Sequence, residues 1–273
     1  MYPILFHIGP LTVYSFGTLM AVAALAGGWI ARSELKRYQY DPELASTMVI
    51  AAAVGGLLGA RIFYIFEDWS RFVQAPLDLI LSGAGFTWYG GLLGGALAVS
   101  WVVRKEGIPW LHTADICSSS VALAYGIGRI GCHIAGDGDW GTVSDVPWAV
   151  QYTNAIIGWI HPLTGVPYPE GVKVHPTPLY ETFQSLVIVE ILWSLRKRDH
   201  PPGVIFWLYL ILAGLARFTV EFWRINPVAA FGMTQAQWVA IILVLLGGSM
   251  LWTTFTPYHP SRASRANDRT PRP

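Results

Sequence analysis

The chain has 273 residues, of which 53% are hydrophobic, 14% aromatic and only 13% charged, with a formal net charge of +1. A soluble domain carries about 25% charged residues, so these figures exclude an ordinary water-soluble globule, and the same apolarity excludes a disordered chain. The near-zero net charge argues against nucleic acid as a partner, and two cysteines, Cys117 and Cys132, are too few for a disulfide scaffold or a four-thiolate zinc site.

A helix of about 20 apolar residues crosses roughly 30 Å of hydrocarbon. Such stretches are predicted at Thr12–Ala31, Ala45–Phe66, Phe86–Val103, Leu111–Ile130, Pro178–Leu195, Val204–Phe222 and Thr234–Phe255. The expected fold class is therefore all-α, a polytopic membrane protein of about seven transmembrane helices. No basic n-region precedes the first stretch, so that span serves as its own targeting signal. Residues 1–257 form one integral membrane domain, and 258–273, rich in Ser, Arg, Asn and Pro, read as a disordered cytoplasmic tail able to face anionic lipid.

Orientation follows from Lys and Arg, which are retained in cytoplasmic loops. Twelve of the eighteen sit at one set of helix ends: Arg32, Lys36 and Arg37; Arg104 and Lys105; Arg196, Lys197 and Arg198; and Arg262, Arg265, Arg269 and Arg272. The N-terminus is thus expected outside and the C-terminus inside. The opposite side receives Arg71 and Lys173, together with Arg61, Arg129, Arg217 and Arg224 near the outer ends of spans two, four and six. One such arginine can snorkel to the headgroups. Several on one leaflet point to an anionic site, because a guanidinium in the membrane needs a negative partner.

Two excursions interrupt the spans. Glu67–Gly85, with Trp69, Phe72 and Leu79, suits an arm along the membrane surface. Residues 133–177 form an outer head segment whose Trp140, Trp148 and Trp159 argue for order. No long-period repeat is evident, which weakens an inverted-repeat transporter.

Within the spans, Gly55, Gly56 and Gly59 in span two and Gly90, Gly91, Gly94 and Gly95 in span three suit close helix packing or an acyl-chain cleft, packing being the commoner use. Span four runs from Gly126 through Arg129, Cys132, His133 and Asp137 to Gly141, a glycine-rich exit of the kind tolerated only against a cavity or protein. Asp137 and Asp139 alone make a weak calcium site, and no metal is expected. Cys132 reads as a small apolar filler. At His175-Pro176-Thr177-Pro178-Leu179-Tyr180-Glu181 the chain re-enters span five, where Thr177 can cap the helix and Pro178 can open it. His175 there is a general base, an orienting group or an interfacial histidine. On span six Arg217, Glu221 and Arg224 fall at i, i+4 and i+7, on one helical face. They form either an internal ion-pair ladder or, with two guanidiniums to one carboxylate, a phosphate site.

In this order the motifs resemble the bacterial prolipoprotein diacylglyceryl transferases. The resemblance runs from Ile8-Gly9-Pro10 through Gly59-Ala60-Arg61, Tyr89-Gly90-Gly91 and Gly128–Asp137 to His175–Glu181 and Arg217–Arg224. It implies a seven-helix plasma-membrane enzyme with its active site toward the outer leaflet. Such an enzyme moves the diacylglyceryl group of phosphatidylglycerol onto the lipobox cysteine thiol of a preprolipoprotein signal peptide, releases glycerol 1-phosphate and uses no cofactor. Its implied partners are phosphatidylglycerol, those signal peptides and membrane lipids.

By the same resemblance Arg129, Arg217, Glu221 and Arg224 belong to the lipid headgroup and reaction centre, with Arg61 and Asp137 in the lipid site. Departures are Phe16-Gly17 for Tyr-Gly, Tyr89 for the histidine of His-Gly-Gly, Cys132 for asparagine and Asp137 for glutamate. The family histidine is the candidate thiol activator, so Tyr89 and His133 become rival proton acceptors here. A tyrosine with pKa near 10 needs its neighbours' help for that task. The alternatives are a non-catalytic lipid- or peptide-binding paralogue and a small-solute transporter, for which Asp115 and Glu190 are the inner-half charges.

Overall fold

The structure is a computed structural model that describes residues 1–77 and 87–256. Leu79 of the surface arm, Phe86 of span three and the tail 258–273 lie outside the described residues.

The chain opens with a hairpin, not with the first span. Strands β1 (Ile4–Ile8) and β2 (Leu11–Tyr14) pair antiparallel, and Gly9 turns between them at φ +57°, a conformation that favours glycine. Helix α1 (Ser15–Arg37) therefore starts three residues later than the predicted Thr12. The Met1 ammonium donates to the Thr153 carbonyl at 2.9 Å and the Tyr2 N–H to Ile134 O at 3.0 Å, which moors the hairpin to the outer head.

Then come α2 (Leu44–Glu67), the short α3 (Trp69–Gln74), α4 (Trp88–Lys105), α5 (Trp110–Ala135), α6 (Thr177–Leu195), α7 (Val204–Val220), strands β3 (Val228–Ala230) and β4 (Met233–Thr234), and α8 (Gln235–Phe255). A helix coincides with each predicted stretch. Of these α1, α2 and α8 are long and apolar enough to cross a membrane by length and composition, and α7 is a shorter apolar helix. On α3, the exposed Trp69 packs against Phe66 and Phe72.

The helices pack mainly as α1 along α5, α2 along α4 and α7 along α8, with α6 joining α5 to α7. Helix α5 is the spine. Its Ser118, Ser119, Ser120 and Thr113 are buried, a composition that suits a helix surrounded by protein. Ser118 and Ser120 return their hydroxyls to the carbonyls four residues back, which satisfies them internally. The α2–α4 seam is made by glycine: a methyl group on Gly59 would overlap the Gly90 carbonyl oxygen, and one on Gly94 the Gly55 carbonyl. These glycines serve backbone contact, the packing use of small residues.

Near the C-terminal end of α1 and the N-terminal end of α5 two buried acids act as fasteners. Asp115, 2% exposed, accepts the Gly203 N–H at 2.7 Å and the Phe206 N–H at 2.8 Å, capping α7 from a neighbouring helix. Glu34 on α1 accepts Arg196 at 2.6 Å and Arg37 at 2.7 Å, so two of the topology-setting arginines also tie the helices together. Glu190 is exposed on α6, and nothing in the structure explains it.

The head, residues 136–176, is held by a cluster of Trp140, Tyr152 and Val174, flanked by Trp159 and Tyr168. Trp140 and Tyr152 are 2% and 1% exposed, which places these aromatics in a true core. A capping box of Thr234 and Gln237 starts α8.

Replacing Gly59 by Val should lower stability by about 3 kcal/mol, the upper end for overpacking, because the obstructing atom is backbone and cannot rotate away. Gly248 on α8 has open space around it, and Gly248→Ala should leave the unfolding midpoint unchanged or raised. Thermal unfolding of both variants in detergent checks the pair.

Candidate active site

Three helices and two turns bring charge to one end of the bundle. Arg129 stands in the penultimate turn of α5, Glu181 in the second turn of α6, and Arg217 in the last turn of α7. Glu221 and Arg224 lie in the turn after α7, and Asp139 in the turn after α5. That second turn is shaped by Gly136 at φ +67°, where a Cβ would strike Ala155.

Glu181 is the meeting point. Its side chain is 2% exposed and accepts Arg217 Nη1 at 2.9 Å, Arg224 Nη1 at 3.0 Å, Arg129 Nη2, and the Tyr125 hydroxyl at 2.7 Å. The same guanidiniums have second partners. Arg129 and Arg224 share Asp139, the latter at 2.7 Å, and Arg217 meets Glu221 at 3.0 Å. Glu221 is fixed in turn by Asn226 at 2.6 Å and Thr234 at 2.7 Å. Three arginines face three carboxylates, so the cluster is charge-balanced, whereas span six alone suggests a positive excess. Arg129 and Arg224 are 11% and 10% exposed but Arg217 and Asp139 are 30% and 33%, so the cluster opens on the Arg217 and Asp139 side.

The route by which Arg224 arrives differs from the single-face expectation. Helix α7 ends at Val220, and a turn carries Arg224 against Gly141 of the head in a β-bridge. Gly141 admits no side chain there, since a Cβ would overlap the Trp223 carbonyl. Thr177 also departs from its predicted capping role: it is the first residue of α6, and its hydroxyl donates to the Asp139 carbonyl at 2.5 Å. That bond ties the turn holding Asp139 to the start of the helix holding Glu181.

The two aspartates in the turn titrate oppositely. For Asp139 burial alone would raise the pKa, but the Arg129 and Arg224 guanidiniums outweigh it and hold the carboxyl at about 2. Asp137 is raised by burial and by the charge of Asp139. Cys132, Asp137 and Asp139 present ligand atoms within 4.8 Å of one another, but both Asp139 oxygens already bind guanidiniums. Cys132 is buried and accepts Arg129 Nη1 at 3.5 Å.

Of the sequence-derived site residues, Arg129, Arg217, Glu221 and Arg224 converge. Asp137 adjoins them through Asp139. His133 turns away into the head, its Nδ1 bonded to the Tyr152 hydroxyl at 2.9 Å. Tyr89 is on α4, where its described contact is an edge-on one with Trp88. Arg61 is on α2. His175 pairs with the Tyr180 hydroxyl at 2.9 Å, Tyr180 also accepts the Trp148 N–H at 2.7 Å, and burial lowers the His175 pKa.

Sequence reasoning passed over Glu181, Asp139 and Tyr125. The available signal is electrical: arginines near the ends of apolar helices need acids at the same depth, and Glu181 near the start of an apolar helix is such an acid.

The sequence pattern described as Prolipoprotein diacylglyceryl transferase matches residues 3–253 of the chain. The chain is 32% identical over 249 residues, 90% of its own length and 95% of the relative's, to a Clostridium tetani protein named Phosphatidylglycerol--prolipoprotein diacylglyceryl transferase. It is 32% identical to the Brucella canis protein of the same name and 31% to that of Brucella ovis, each over 280 residues, 97% of this chain and 94% of the relative.

A carboxyl held at about 2 when folded, against an ordinary 3.8, stabilises the fold fully above about pH 4 and loses that contribution as pH falls through about 2. The gap in thermal midpoint between wild type and Asp139→Asn should therefore be constant from pH 7 to 5 and should narrow between pH 4 and 2.

Proposed function

Since the chain belongs to the prolipoprotein diacylglyceryl transferase family, we propose that it transfers the diacylglyceryl group of phosphatidylglycerol to the lipobox cysteine thiol of preprolipoproteins, releasing glycerol 1-phosphate. The observation that carries this reading at the level of chemistry is the convergence of Arg129, Arg217 and Arg224 at one end of an apolar bundle.

In the proposed reaction the thiolate attacks the glycerol carbon that bears the phosphate. The carbon–oxygen bond to phosphate breaks and the electron pair leaves with the headgroup. A phosphate diester with one negative charge becomes a monoester with greater charge on the same oxygens. Guanidiniums fixed in a site of low dielectric stabilise that gain without reorganising. Arg129, Arg217 and Arg224 take this role, with Asp139 and Glu221 holding them in place. Asp137 and Arg61 complete the proposed lipid site. The thiol must also lose a proton, for which the sequence nominates Tyr89 and His133.

In this reading seven helices cross the bacterial inner membrane, with the N-terminus outside, the C-terminus cytoplasmic and the cluster at the outer leaflet. The signs of the loop charges support that orientation. Residues 133–177 cover the site as an outer head, and residues 1–257 act as one membrane transferase domain. The substrates are phosphatidylglycerol and the lipobox-bearing signal peptide, in a matrix of membrane lipids.

Reconstitution with phosphatidylglycerol and a lipobox peptide tests the reading through thioether formation and glycerol phosphate release. Arg217→Ala should lower transfer by about 100-fold or more, the scale of one lost electrostatic donor. Wild-type protein that binds the lipid but transfers nothing would leave only a binding paralogue. His133→Ala should slow transfer if His133 accepts the proton, and full activity in that variant removes it from the chemistry.

A further inference from the structure

The position of Glu181 raises a question that the phosphate site does not answer. Each arginine touching it has another carboxylate: Asp139 for Arg129 and Arg224, Glu221 for Arg217. Among the described residues Glu181 is the one anion common to all three. The arginines can therefore release Glu181 and each still keep a carboxylate, and an anion that takes the place of Glu181 meets all three. On the Oε1 side of Glu181 sits Tyr125, whose hydroxyl donates at 2.7 Å. Tyr125 is 37% exposed, and Val121, one turn away on the same face of α5, is 45% exposed. This tyrosine is therefore open to a molecule arriving beside α5, while its hydroxyl bonds a buried carboxylate of the cluster. Among the described residues no donor reaches its oxygen, so a lone pair is available to a thiol.

We propose that Glu181 is a resident anion displaced from the arginines by the lipid phosphate, and that it then receives the thiol proton through Tyr125. The inference rests on the transferase reading of the site. At rest the carboxylate is occupied by three guanidiniums and the Tyr125 hydroxyl. When the phosphate takes those guanidiniums, Glu181 is left with its Tyr125 bond. The thiol S–H passes its proton to the Tyr125 oxygen as the Tyr125 proton moves to Glu181 Oε1. The thiolate forms the carbon–sulfur bond, the carbon–oxygen bond to phosphate breaks, and the phosphate oxygen leaves with the electron pair. Glu181 then gives its proton to the departing monoester, becomes an anion again and retakes the arginines. No external acid, base or oxidant is consumed. The charged and titratable groups facing Glu181 are Arg129 and Tyr125 from α5, Arg217 from α7 and Arg224 from the turn beyond it, with Asp139 behind two of these arginines.

Two variants in phosphatidylglycerol vesicles with a lipobox peptide test the relay. Tyr125→Phe keeps the ring and should lower kcat by ~100-fold, the scale of a lost proton-transfer group, with KM for the lipid unchanged. Its kcat should then rise about tenfold per pH unit up to about pH 8.5, where a free thiol ionises by itself, while the wild-type rate stays flat from pH 7 to 8.5. Glu181→Gln removes the competing anion, so KM for phosphatidylglycerol should fall at least threefold while kcat also falls at least tenfold. Wild-type kcat and pH profile in Tyr125→Phe overturn the relay and leave the transferase reading intact. A raised KM in Glu181→Gln overturns the displaced anion, and a misfolded Glu181→Gln leaves Tyr125→Phe to decide. Absence of transfer by the wild type overturns both readings.

Discussion

One end of the bundle is organised around one carboxylate, Glu181, buried at 2% exposure among three guanidiniums. A buried charge is tolerated only when paired and hydrogen-bonded, so each arginine and each acid needs its partner delivered to the same depth. The local structure meets that need. Helix α7 stops at Val220 so that a turn can swing Arg224 inward, and Gly141 lets the turn lie against the head. The Thr177 hydroxyl ties the Asp139 carbonyl to the helix that carries Glu181. The head thus supplies Asp139, the second carboxylate of Arg129 and the closest one to Arg224.

The opposite end uses the same chemistry for a different purpose. Asp115 caps α7, and Glu34 binds Arg37 and Arg196, each acid closed off by its own partners. Those acids hold elements together, whereas Arg217 in the cluster remains partly exposed. The α2–α4 pair, zipped by glycine backbones, stands against the rest of the bundle chiefly through α1. The spine α5 consequently keeps one side, with Val121 and Tyr125, uncovered. An opening beside a rigid polar cluster is what a lipid-borne substrate requires.

The helices were legible because hydropathy in a membrane protein is a one-dimensional signal, set by the requirement that backbone polar groups be satisfied within each span. The hairpin at Ile4–Tyr14 was not, because its apolar residues run continuously into α1 and only the Gly9-Pro10 turn separates them. Arginines announced the site, since a cation at membrane depth is conspicuous in any sequence. Their partners were harder to read: Glu181 resembles an ordinary acid near a helix N-terminus, and Asp139 an ordinary loop acid. Pairing across about forty residues is a tertiary fact. Thr177 shows the same limit, since its spacing fits a cap while its hydroxyl reaches a carbonyl 38 residues away.

A resident anion also resolves an electrostatic difficulty of any site built from several arginines. Two guanidiniums about 5 Å apart repel by about 3 kcal/mol at an effective dielectric of about 20, so a bare triad would splay or bind stray anions. Asp139 and Glu221 offset part of this repulsion from the periphery, and Glu181 offsets it from the centre, where a phosphate must sit. Exchange of one central anion for another keeps the number of ion pairs nearly constant, so the lipid enters a site already shaped for it. The leaving headgroup then gains charge among cations that did not have to move. Preorganisation and charge balance, opposing demands in a membrane, are both met by the carboxylate that occupies the centre at rest.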